Sequence, residues 1–364
     1  MKNILVSVLL FAAVPVGSYE EKMLKAPTHA LPVCENLVLV TIDGFRWQEV
    51  FEGADSVLLA DEDYTAGASL MQLQYWGPDP QERRKKLLPF FWNIIAAQGQ
   101  LYGNRNLGSK INTANLYAMS YPGYSEIFTG LADINISSNR KRNNPNLNLM
   151  EWLDSKPGFH GKVAAFTSWD VFPYILNTER NNLTVNSGYS PGRSNASAHQ
   201  QIINAVQDEM EEAATRYDEL TYLSAREYAR QHHPRVLFIG LGETDEFAHQ
   251  QRYDLYLEQA NKVDRMLGEL WRWIQTTPGY KDHTTLIITT DHGRGSKRNR
   301  WSSHGEFIKG SSQTWLAIIG PGIKPLGEIN DKHQLYQEQL AQTMANLLGE
   351  EFHPGEIAPA ISLR

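Results

Sequence analysis

The chain has a single cysteine, Cys34, so no disulfide can form within it in any compartment, and its stability has to come from a packed core or from bound metal. Basic charge is not in excess either. With 34 Lys and Arg against 41 Asp and Glu, the net charge of −7 gives no electrostatic footprint for duplex nucleic acid, and duplex binding is not expected. Long apolar runs are scarce. Residues 4–16 form one, too short to cross a hydrocarbon layer of about 30 Å. Because it follows Lys2 and precedes the small Gly17 and Ser18, it reads as a signal peptide over residues 1–18, with export to the periplasm or the medium. No later run is long enough for a membrane helix, so no stable membrane anchor is expected. Internal repeats are lacking too. What remains, 41% hydrophobic and 21% charged, is the composition of a globular protein with a real core.

Apolar runs rich in β-branched residues at 37–42, 236–241 and 286–290 read as buried strands, and 162–166 and 315–319 look similar. Helical periodicity occurs at 86–97, 200–214, 219–230, 255–274 and 335–348. Strands that alternate with long helices predict an α/β fold, a mainly parallel central sheet with helices on both faces. Segments 51–84 and 169–197 fit neither pattern and are expected to be loops or small caps over the sheet edge, where substrates are commonly selected.

Each of the three clearest strands runs into an aspartate at its carboxyl end: Asp43, Asp245 and Asp291. In an open parallel sheet, ligands bind outside those ends. A lone Asp there is a common turn or cap residue, but histidines accompany two of these. His249 follows Asp245 by four positions, which on a helix puts carboxylate and imidazole on one face. His292 follows Asp291 directly, and His304 with Gly305 lies in the Arg- and Ser-rich loop beyond. Three Asp and three His suit one or two transition-metal ions, Zn²⁺ especially.

Ser120 is the best candidate nucleophile. Pro122 and Gly123 behind it mark a helix start, where free N–H groups and the helix dipole favour an anion; a plain N-cap serine would look the same.

With these residues in place, the sequence resembles the alkaline phosphatase superfamily of two-metal hydrolases, most closely its nucleotide pyrophosphatase/phosphodiesterase-like branch. The resemblance is carried by Val-Thr-Ile-Asp-Gly-Phe-Arg at 40–46, Ser-Tyr-Pro-Gly-Tyr-Ser at 120–125 with Thr129 and Gly130, Glu-Thr-Asp-Glu-Phe-Ala-His at 243–249, Thr-Asp-His-Gly at 290–293, and His304-Gly305. The motifs come in that family's order over about 260 residues. Such a resemblance implies one alkaline-phosphatase-like catalytic domain over 19–364 with small loop insertions. It further implies one metal held by Asp245, His249 and His304 and a second by Asp43, Asp291, His292 and the oxygen of Ser120. Catalysis would pass through a phosphoseryl intermediate, and Asn139 is the nearest match for a side chain that holds a phosphoryl oxygen. The implied activity is an exported phosphodiesterase or phosphatase acting on a small phosphoester.

The match is not uniform. Phosphodiesterases of this branch usually carry Thr followed by Phe-Pro-Asn at the nucleophile, where this chain has Ser120 and then Tyr-Pro-Gly. A sulfatase of the superfamily would need Arg in the place of Tyr124 for its formylglycine signature. A phosphoryl transferase, or a secreted binding module that keeps the fold without the chemistry, would be the remaining alternatives. Arg294, Lys297 and Arg298 lie near the metal motifs, either to offset a monoester's extra charge or as solvated surface. Trp169, Tyr174 and Tyr189 are candidates for the leaving-group side.

Overall fold

The structure, a computed structural model, describes residues 34–190, 197–210 and 214–363, all within one compact unit, Leu31–Arg364. The expected signal peptide at 1–18 lies outside the described residues. Eleven strands occur among those described: β1 Asn36–Ile42, β2 Gln100–Tyr102, β3 Lys110–Asn112, β4 Val163–Thr167, β5 Thr184–Ser187, β6 Val236–Leu241, β7 Thr284–Thr289, β8 Gln313–Thr314, β9 Leu316–Ile319, β10 Gly327–Glu328 and β11 Gln334–Tyr336. Eight of them form the central sheet in the order β10-β2-β9-β7-β1-β6-β4-β5, and β11-β3-β8 form a small second sheet. From β7 through β5 the neighbours are all parallel; β9 runs against both of its neighbours. This is the expected mainly parallel α/β architecture.

Alternation along the strands divides the core in two. Val38, Val40 and Ile42 of β1 face one side with Leu286 and Ile288 of β7, against Tyr256, Leu257, Ala260 and Val263 of the Tyr253–Thr276 helix. Leu37 and Leu39 face the other with Phe238 and Ile287, against the Ser120–Thr129 and Gln339–Leu347 helices. Every residue of β1, β6 and β7 is buried, as strands covered on both faces must be. In register, Thr41 of β1 pairs with Gly240 of β6 and with Thr289 of β7. The three segments that carry Asp43, Asp245 and Asp291 therefore leave the sheet side by side.

Several expected elements differ. The helix foreseen over 86–97 is broken, since Pro80–Leu87 ends at Leu88 before Pro89 and a π-helical turn, Phe91–Ile95, takes over. The pattern at 335–348 is a short strand, β11, and then the Gln339–Leu347 helix. Segments 51–84 and 169–197 also hold regular structure: helices Ser56–Leu59, Ala68–Tyr75 and Pro80–Leu87 in the first, Phe172–Ile175 and the edge strand β5 in the second.

Candidate metal centre

The glycine after Asp43 is what lets the first loop turn. Gly44 has φ 59°, and a Cβ there would stand 2.6 Å from Asp245 Oδ1 and 2.8 Å from Arg294 Nε. Its N–H donates to Asp291 Oδ1 at 3.0 Å, and its carbonyl accepts from Arg294 Nε at 3.2 Å. Thr244 Oγ1 donates to the Asp43 carbonyl at 2.6 Å, tying the first loop to the second. Asp245 and His249 lie on the helix Glu243–His249, as the spacing predicts, with His249 Nε2 3.0 Å from Asp245 Oδ2.

His292 is wholly buried, and its Nδ1–H donates to the Gly293 carbonyl at 2.9 Å. His304 Nδ1–H donates to the Ala118 carbonyl at 3.1 Å. Because a carbonyl only accepts, both imidazoles carry their proton on Nδ1 and turn a bare Nε2 inward, the form that binds a metal. Burial lowers the pKa of both rings, and for His304 the nearby His292 and Arg294 add to the effect. Their planes stack at 3.9 Å and 12°.

Around His292 Nε2 the donor atoms converge: Asp291 Oδ2 at 3.4 Å, Asp43 Oδ1 at 3.6 Å, Asp245 Oδ1 at 3.8 Å and Ser120 Oγ at 3.3 Å. Two groups have atoms close enough to share an ion, Asp43 with Asp291 and His292, and Asp245 with His292 and His304. His249 Nε2 joins the second, 3.1 Å from His304 Nε2. The outer oxygens of the first group are engaged, Asp43 Oδ2 by the Tyr124 hydroxyl at 3.0 Å and Asp291 Oδ1 by Gly44. Their inner oxygens, Asp43 Oδ1 and Asp291 Oδ2, are buried and take no hydrogen bond among the described residues. Two buried carboxylate oxygens without a donor, aimed with a bare imidazole nitrogen at one point, are costly unless a cation fills that point. Burial pushes the Asp291 carboxyl up to about 7, and burial together with the Asp291 charge pushes Asp43 well above the usual carboxylate range.

Ser120 is the first residue of the Ser120–Thr129 helix. Gly123, one turn in, lets that helix lie on the third loop: a Cβ there would stand 2.4 Å from the Asp291 carbonyl oxygen. The approach to Ser120 passes through Ala118, held at φ 45°, where an L side chain is strained. Asn115 Oδ1 accepts the Ala118 N–H at 2.9 Å, and buried Glu126 in turn accepts from the Asn115 side chain at 2.7 Å and from the N–H groups of Ala114 and Asn115. The strained carbonyl is the one that holds His304.

The matched residues of a family model described as type I phosphodiesterase / nucleotide pyrophosphatase are 91–352, most of the described chain. The chain belongs to this family. Asp43 lies outside that span, and its place in the site rests on the register of β1 with β6 and β7. Solved structures with the same fold include wild-type alkaline phosphatase PafA, at 11% identity and TM-score 0.60 over 89% of this chain and 97% of that one. The lipoteichoic acid synthase LtaP from Listeria monocytogenes is another, at 11% identity and TM-score 0.55 over 87% of this chain and 72% of its own. A third is BT1596, a 2-O GAG sulfatase, at 12% identity and TM-score 0.53 over 88% and 71%. No curated protein matches the chain by sequence. At such identities the likeness carries the fold, and one fold hosts several chemistries.

All seven expected residues, Asp43, Ser120, Asp245, His249, Asp291, His292 and His304, come together. Asn139 is near as well: its Oδ1 accepts the Tyr121 N–H at 2.9 Å. Of the three cations flanking the motifs, Arg294 is wholly buried and paired with Asp245, while Lys297 and Arg298 are exposed and Arg298 pairs with Asp61. Tyr174 meets the Ser120–Thr129 helix through its backbone, its carbonyl accepting the Tyr121 hydroxyl at 3.2 Å. Sequence reasoning missed Tyr124, Glu126 and the role of Arg294. Tyr124 alone had a local signal, four positions after Ser120 on the same helix face.

Proposed function

We propose that the chain is an exported, two-metal phosphoester hydrolase in which Ser120 is the nucleophile, with residues 19–364 as its catalytic domain. The reading rests on one observation above the others, the unpartnered Asp43 Oδ1 and Asp291 Oδ2 turned toward His292 Nε2 beside Ser120 Oγ. Asp43, Asp291, His292 and Ser120 would hold one divalent ion, and Asp245, His249 and His304 the other. Zinc suits this nitrogen and oxygen donor set. When bound, the ions supply Lewis acidity that makes the serine hydroxyl a nucleophile and positive charge that offsets the attacking and leaving oxygens.

The chain's own groups do the rest. Ser120 Oγ forms a bond to phosphorus as the ester oxygen departs in line, leaving a phosphoserine. Water then attacks the same phosphorus, the serine oxygen leaves, and inorganic phosphate or a monoester is released according to whether the substrate was a mono- or diester. The Ser120 N–H at the start of the Ser120–Thr129 helix, with the Asn139 side-chain amide, holds a phosphoryl oxygen. Tyr124 fixes the outer oxygen of Asp43, and its presence where a sulfatase signature has Arg disfavours a formylglycine nucleophile.

Hydrolysis of p-nitrophenyl phosphate, bis-p-nitrophenyl phosphate and p-nitrophenyl sulfate, measured with zinc and after chelation, tests the proposal. Turnover of either phosphate ester that is lost on chelation is the expected result. A preference for the sulfate ester, or turnover that survives chelation, would contradict it.

A further inference from the structure

We infer that Asp218 is a positioning residue for the ion assigned to Asp245, His249 and His304: it fixes the start of the helix that presents Asp245 and His249, and so sets how tightly that ion is held. The inference rests on the two-ion reading above and deepens it. The Glu243–His249 helix cannot hold itself. At seven residues it is too short to be stable alone, and its N-cap is Gly242, which has no side chain to accept the free N–H groups. A side chain in that place would also crowd its neighbour, since a Cβ at 242 stands 2.8 Å from Thr215 Cγ2.

The cap comes instead from Asp218, a wholly buried carboxylate. Its Oδ1 accepts the Gly242 N–H at 2.7 Å and its Oδ2 the Glu243 N–H at 3.2 Å. The exchange is mutual. Glu243 Oε2 accepts the Asp218 N–H at 2.7 Å, at the start of the Asp218–His232 helix, whose N-cap Tyr217 makes no side-chain cap of its own. This is the reciprocal bonding of a capping box, made between two helices instead of within one. Two further donors fix the carboxylate, Ser168 Oγ on Oδ1 at 2.6 Å and Gln259 Nε2 on Oδ2 at 2.9 Å. With four donors its oxygens are saturated, and Asp218 acts through the backbone it holds. Thr215 adds a second hold on the same helix, its hydroxyl donating to Glu246 Oε1 at 2.7 Å.

The consequence for the ion is geometric. Asp245 lies on the first turn, and its N–H donates to the Gly242 carbonyl at 3.1 Å, so a displacement of Gly242 passes to Asp245 and along the helix to His249. Arg294 and the Thr244 hydroxyl tie the helix to neighbouring loops, and Asp218 holds its start. Without Asp218, two buried N–H groups lose their acceptor and the helix loosens. Asp43, Asp291 and His292 follow β1 and β7 instead, so the ion assigned to them does not depend on Asp218.

The experiment measures zinc binding by chelator competition in the full chain as wild type, Asp218→Asn, Asp218→Ala and His249→Ala, the last marking which ion belongs to Asp245, His249 and His304. Asp218→Ala is expected to weaken that ion about tenfold or more and to leave the other within about twofold. Asp218→Asn, which keeps one oxygen for the Gly242 N–H, should lose less, and it carries the test if the alanine variant does not fold. Asp264→Asn separates positioning from mere stability. Asp264 also accepts two backbone N–H groups, of Phe90 at 2.7 Å and Phe91 at 2.8 Å, but none of these contacts is with a metal-site residue. That variant should lower Tm and leave both zinc affinities unchanged. In Asp218→Asn, kcat for a phosphate ester should fall at limiting free zinc and recover at excess zinc, with KM unchanged. Equal weakening of both ions, zinc affinities of the folded Asp218 variants equal to wild type, or a wild type that binds no ion through His249 overturns the inference. Should wild type bind both ions yet hydrolyse no phosphate ester, the hydrolase reading fails, and the zinc comparison still decides the role of Asp218.

Discussion

The guanidinium of Arg294 lies on the carboxylate of Asp245, wholly out of solvent, at the meeting point of three loops. Besides Asp245 it donates to the carbonyls of Gly44, Asp245 and Ser302, and so links the loop after β1, the Asp245–His249 helix and the stretch leading to His304. Burial brings its pKa down to about 9, still high enough to keep it charged at neutral pH. The charge matters because Asp245 needs a counterion whether or not metal is bound.

Arg294→Met is expected to destabilise the metal-free protein by about 3 kcal/mol, since it leaves the partly buried Asp245 carboxylate without its partner. Zinc should recover part of that loss by taking over Asp245. Denaturant unfolding of variant and wild type, with zinc and with chelator, checks this; an equal loss in both conditions would mean that Arg294 acts only through its carbonyl contacts.

Gly123→Ala places a methyl group 2.4 Å from the Asp291 carbonyl oxygen, which is backbone and cannot rotate away. The helix has to move off the Asp291 loop, at a cost of about 2 kcal/mol in stability. Because Ser120 moves with it, kcat for a phosphate ester should fall by about tenfold or more while KM changes less. Thermal unfolding and steady-state kinetics on the same preparation read both effects.

Glu126→Ala removes the acceptor for the N–H groups of Ala114, Asn115 and Glu338 and for the Asn115 side chain. Burial holds the Glu126 carboxyl at about 7, so Glu126→Gln is the milder change near neutral pH. A loss of about 3 kcal/mol is expected for Ala and less for Gln. With the 114–119 loop released, the Ala118 carbonyl no longer fixes His304, and zinc affinity measured by chelator competition should drop for Ala more than for Gln.

Asp291, held at about 7 with no cation, and Asp43, raised in the same direction, give the metal-free protein a definite pH dependence. Their unfolded pKa is about 3.9. A raised folded pKa means the folded state binds protons more tightly, so this contribution to stability is present below about pH 4 and is lost as pH rises through about 7. Chelated protein should therefore lose Tm, through these groups, between pH 5 and 8 on the scale set by that shift. Added zinc should stabilise most at the alkaline end, where the ligands are deprotonated. Thermal scans across that range would contradict the assignment if the zinc-induced rise in Tm were larger at pH 5.

Much of the site was legible because its candidate ligands hang on strong local patterns. β-branched runs ending in Asp43 and Asp291 marked β1 and β7, and the four-residue step from Asp245 to His249 matched one turn of the helix that forms there. His304 was legible through its Gly305 motif alone, since it sits in an irregular loop without periodicity. The supporting groups were not legible. Tyr124 meets Asp43 across 81 positions and Arg294 meets Asp245 across 49, so spacing gave no sign of either pairing, although Tyr124's place one turn after Ser120 put it on the same helix face. Strands of two or three residues such as β8, β10 and β11 are too short for alternation to show, which is why 335–348 read as one helix.

The central claim is that Ser120 attacks phosphorus beside two bound ions. It is tested most directly by counting zinc per chain in wild type and Ser120→Ala while following hydrolysis of a p-nitrophenyl phosphate ester in the same samples. The account predicts about two zinc ions per chain in both proteins, with turnover lowered by about 10³-fold or more in Ser120→Ala. Turnover by Ser120→Ala near the wild-type rate, or full activity in wild type stripped of metal, would contradict it.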